Sequence, residues 1–107
     1  MIQGNPHSGF SAEGTILWKK GEDVASAAEL NLGRGNIFTV TGTTNITSIK
    51  ANDSDAGKVL FLIFAAILTF TDGSNLKLAG NFVTSADDVI ALVSDGTNWF
   101  EISRSVN

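Results

Sequence analysis

Residues 59–68, VLFLIFAAIL, are apolar without a break, and that run constrains the fold more than any other feature of the chain. It is too short to cross a bilayer as a helix, which takes about 18 to 20 apolar residues. If it is extended, successive side chains point to opposite faces, so both faces must leave water. A small two-sheet domain buries only one face of each sheet. The second face then needs another layer, and for 107 residues a neighbouring subunit is a ready source of it. The competing readings are a central strand or a short buried helix within one chain, which periodicity does not separate over so few residues.

The chain is long enough for one core and too short for two ordinary domains. It has no cysteine, so packing or oligomerisation must do the work of disulfides or thiolate metal sites. The formal charge is −4, with lysine and arginine scattered from Lys19 to Arg104. No basic stripe suited to a phosphate backbone results, so nucleic acid is not an expected partner. The start, MIQGNPHSGF, lacks the cationic end and apolar centre of a secretory signal. A soluble protein with no membrane partner is expected.

Eleven glycines, seven phenylalanines, one proline and many β-branched residues favour strands joined by glycine-containing turns. Strand-like runs fall at about 14–20, 30–32, 37–41, 46–50, 58–64, 67–71, 75–78, 89–93 and 98–103. Turn signals separate them at Gly33–Asn36, Asp53–Gly57, Thr71–Asn75 and Ser94–Asn98, where Asp-Gly and Gly-Asn pairs supply positive φ angles. The expectation is an all-β domain, a small antiparallel sandwich resembling a jelly roll. Residues 23–30, DVASAAEL, could form a short helix by propensity without changing that class. The similar segments TDGSN and SDGTN, at 71–75 and 94–98, read as one turn chemistry used twice, with Asp72 and Asp95 bonding their own backbones. In 98–103, Phe100 and Ile102 alternate with Trp99, Glu101 and Ser103, and the first pair is assigned to the core.

Candidates for chemistry are few. His7 is the sole histidine, and adjacent Ser8 makes no oriented nucleophile–base pair with it. Asp53–Gly57 starts like a calcium loop but lacks the later ligands and closing glutamate. Asp87 and Asp88 are neighbours on an extended chain and point apart, with nothing nearby to raise either pKa. The sequons at Asn45 and Asn52 matter only in a secreted eukaryotic protein. No phosphate loop, zinc spacing or dinucleotide fingerprint is present. The chain is therefore not expected to be an enzyme or to carry a cofactor or metal. Trp18 and Trp99 are aromatics of the kind that pack or serve as contact platforms; Trp99, opposite Phe100 and Ile102, is expected to be exposed or buried between subunits.

The stretches ASAAELNLGRGNIFTVTGTTNITSI at 25–49 and ILTFTDGSNLKLAGNFVTSADDVIALVSDGTNWFEIS at 67–103 resemble a module recurrent in tailed-bacteriophage structural proteins, among them head fibres, tail fibres and capsid-associated proteins. The apolar strand departs from the pattern, because Phe64–Leu68 lacks the turn expected before the next strand. The resemblance implies a homotrimeric β-rich virion protein without catalytic residues. Val59, Phe61, Ile63, Phe64 and Trp99 are then the candidate trimer interface. The module, 15–107, is preceded by a short arm, 1–14, that cannot form its own core. Ile2, Pro6 and Phe10 of the arm are the candidate capsid-attachment residues. These features favour a capsid decoration, or cement, protein, made in the bacterial cytoplasm and bound to the major capsid protein on the head surface. The alternative is a receptor-binding tip or fibre module that meets a host glycan or receptor.

Overall fold

The computed structural model describes residues 16–52 and 55–107. The described residues form an all-β domain with no α-helix. Its first six strands are β1 (Val24–Ala25), β2 (Glu29–Leu30), β3 (Ile37–Thr41), β4 (Ser48–Ile49), β5 (Val59–Phe64) and β6 (Thr69–Phe70). They alternate between two layers. In the larger layer β1, β3 and β5 lie side by side and parallel; in the smaller, β2 is parallel to β4 and Ile46 bridges to Phe70 in parallel. The chain thus winds like successive coils. The last four strands, β7 (Leu76–Lys77), β8 (Phe82–Val83), β9 (Val89–Ser94) and β10 (Trp99–Ser105), close both layers. The larger sheet runs β1-β3-β5-β9-β10-β7, and β8 pairs with β6 in the smaller layer.

This winding corrects the antiparallel expectation. Antiparallel pairing occurs at β5–β9, β9–β10 and β6–β8, whereas β1–β3, β3–β5, β2–β4 and β7–β10 are parallel. A tight turn reverses the chain within a sheet only where it joins neighbouring strands. Ser94–Asn98 does so, with Gly96 at φ 100°. Thr71–Asn75 instead carries the chain from β6 to β7 in the other layer. The missing turn after Phe64 has the same explanation: the chain bends at Ala65–Ala66 to leave one layer for the other, and no hairpin forms.

Between the layers, Phe38, Val40, Leu60, Leu62, Phe64, Ile90 and Leu92 face Leu30, Ile46, Ile49, Phe70 and Phe82. Phe64 stands at the junction, its ring centroid 5.7 Å from that of Phe70 and 5.8 Å from that of Phe82. Full burial of each such side chain contributes about 1.5–3 kcal/mol relative to exposure. Residues 23–30 form β1 and β2 in place of the helix allowed by propensity. So short a segment cannot offset helix nucleation, while extension lets Leu30 enter the core.

Asparagine side chains brace the coils where strands are too short to pair. Asn75 accepts from the Ile49 N–H at 3.1 Å and donates to the Ile49 carbonyl. Asn45 accepts from the Thr69 N–H, and Asn36 donates to the Val59 carbonyl, both at 2.8 Å. A β-carbon at Gly21 would lie 2.1 Å from the Phe38 ring, and one at Gly35 (φ 137°) would lie 2.8 Å from the Gly21 backbone. Two glycines therefore permit the first coil to cross the second against a core phenylalanine.

Candidate functional site

The register of the larger sheet decides which apolar residues face out. On β5, Leu60, Leu62 and Phe64 are buried, so Val59, Phe61 and Ile63 face away from the core and are half-buried. Across the sheet, Ile37, Phe61, Ala91 and Ser103 are successive partners in one row, and Val59, Val93 and Phe100 in another. Phe100 is 40% and Ile102 56% exposed. No outward-facing residue of β3, β5, β9 or β10 is ionisable. Across these four strands the outer face is an uncharged surface, in contrast to the charged face usual for a sheet in water, and exposed Lys77 of β7, the partner of Phe100, borders it.

The segment 16–20 covers part of it. The Lys19 carbonyl accepts from the Asn36 and Ile37 N–H groups at 2.6 and 3.1 Å, and the Gly21 N–H donates to the Ile37 carbonyl at 2.8 Å. These bonds fix the segment along the start of β3. Trp18 then meets Phe61 edge-on, with centroids 5.8 Å apart. Leu17 is 85% exposed, since neighbours on an extended chain point to opposite sides.

Of the proposed interface residues, Val59, Phe61 and Ile63 lie together on this outer face, whereas Phe64 and Trp99 lie in the core of the chain itself. The polarity assigned to 98–103 is reversed. Trp99 pairs with buried Ser94 and Leu76 and points inward, which sends Phe100 outward. A register shift between Glu101 and Ser103 then leaves Ile102 exposed. The Trp99 indole N–H is buried without a hydrogen-bond partner. The arm residues Ile2, Pro6 and Phe10, with His7 and Ser8, lie outside the described residues.

The acidic candidates are engaged in structural bonds. Asp88 accepts from the Asn107 N–H at 2.8 Å, the Ser85 N–H at 2.8 Å and the Ser85 hydroxyl at 3.0 Å. Those bonds, the one from Asn107 foremost, hold its pKa below the usual carboxylate range. Asp95 caps its own turn, accepting from Thr97 and Asn98 N–H groups at 2.9 and 2.8 Å. Asp72 accepts from the more distant Leu78 N–H at 2.9 Å. Of the loop 53–57, Asp53 and Ser54 lie outside the described residues, and Asp55 sits 4.0 Å from Lys58. Among the described residues, no group of three His, Cys, Asp or Glu side chains could hold a metal.

Two further polar features went unread in the sequence. Glu101 and Arg104 form a forked ion pair, with contacts of 2.7 and 2.8 Å. The Arg104 guanidinium also donates to the Gly80 and Asn81 carbonyls and lies 4.6 Å over the Phe82 ring. Here the pair seals one end of the core, and the bond to Arg104 lowers the Glu101 pKa. The register shift in β10 brings the two together, a signal no local pattern carries. At the opposite end, beside β1 and β2, an open groove of about 830 Å³ is lined by Lys19, Lys20, Arg34, Glu22, Asp23 and Glu29 among others. Interleaved signs and two-residue edge strands are how a sheet end is kept from pairing with other chains.

No known protein family, curated protein or solved structure matches this chain. The described residues offer an apolar outer face on β3, β5, β9 and β10, bordered by Lys77, with no nucleophile–base pair or metal set beside it.

Proposed function

We propose that this chain is a non-enzymatic structural module of a tailed-bacteriophage virion, a homotrimer that binds the head surface as a decoration protein and stabilises the shell. The observation that carries the binding role is the apolar outer face of β3, β5, β9 and β10, bordered by Lys77 of β7, where Phe100 and Ile102 meet water beside Val93, Val59 and Phe61. The resemblance of 25–49 and 67–103 to phage virion modules supplies the setting. Under this reading the β-domain holds the copies together and the arms reach the major capsid protein. Three arms on one trimer combine weak contacts through effective concentration.

Two measurements test the reading. Gel densitometry of purified virions should find hundreds of copies co-purifying with DNA-filled heads; a scarce chain that competes with phage for cells would instead be a fibre tip. Deletion of residues 1–12 should leave a sedimentation mass of three truncated chains and abolish binding to undecorated heads. A truncated protein that still fills every site would place attachment on the β-domain.

A further inference from the structure

We draw no further inference here: the strongest candidate, the open groove of about 830 Å³ beside β1 and β2, sets Lys19, Lys20 and Arg34 against Glu22, Asp23 and Glu29, so its charges select no ligand of either sign and nothing in the structure shows what would occupy it.

Discussion

Asn75→Ala gives a direct measure of what the asparagine braces contribute. In the native chain Asn75 takes the place of a strand beside Ile49, accepting from its N–H and donating to its carbonyl. Ile49 is buried at the end of β4, so alanine leaves both of its backbone groups without a partner. An unsatisfied buried polar group costs about 1–3 kcal/mol. Allowing water to reach the carbonyl in part, the loss should be about 2–4 kcal/mol. For a domain of this size that lowers Tm by roughly 10 °C or more. Asn75→Asp separates hydrogen bonding from side-chain volume: it keeps an acceptor for the Ile49 N–H but sets a carboxylate against the carbonyl. At neutral pH it should be no more stable than the alanine variant. Denaturant unfolding followed by Trp99 fluorescence reads both. An alanine variant within about 0.5 kcal/mol of wild type, the range of ordinary surface changes, would refute the reasoning.

Three other outcomes are expected. Phe61→Asp places a charge between Trp18 and the sheet, and should give monomer or aggregate in place of the assembled species; a soluble trimer of unchanged Tm would count against the outer face as an interface. A chelator should leave Tm unchanged, because nothing in the described residues gathers metal ligands, and a large drop would expose a site at 53–57 or in the arm. Asp88 has a depressed pKa in the folded state, so its stabilisation is complete above the ordinary value near 3.8 and disappears as pH falls through the lower folded one. Acid titration should therefore release the end of β10 at low pH, and Asp88→Asn should flatten that dependence.

What the sequence disclosed follows from how local each signal is. The Ser94–Asn98 turn was legible because Asp95 and Gly96 solve its geometry among themselves. The outward position of Phe61 was half legible: an apolar strand implies two occupied faces, but parity alone does not say which is inward. The same ambiguity inverted β10, where Trp99 and Phe100 are both large and apolar and only pairing with Leu76 and Ser94 decides between them. Phe64 was placed at an interface because the 59–68 run is apolar on both faces, and only the pairing of β5 shows that Phe64 is on the inward one. β8 escaped notice because Phe82 and Val83 alone make too short an alternation to register. The parallel pairings depend on partners a full coil away, as with Ile37 and Phe61.

The winding of the first six strands also sets an order of assembly. The hairpin of β9 and β10 closes through a local turn, an event of about 1–10 μs. β3 by contrast needs β5, and β5 needs β9, so the N-terminal coils leave the ribosome well before the strands that complete their sheet exist. Until then Leu30, Phe38, Val40 and Ile46 have no opposing layer, and the nascent chain is vulnerable to capture by other unfinished chains. Folding should be slow for the length, as expected where distant pairings dominate. A stopped-flow refolding rate in the range of helical bundles would show that the coils close by another route.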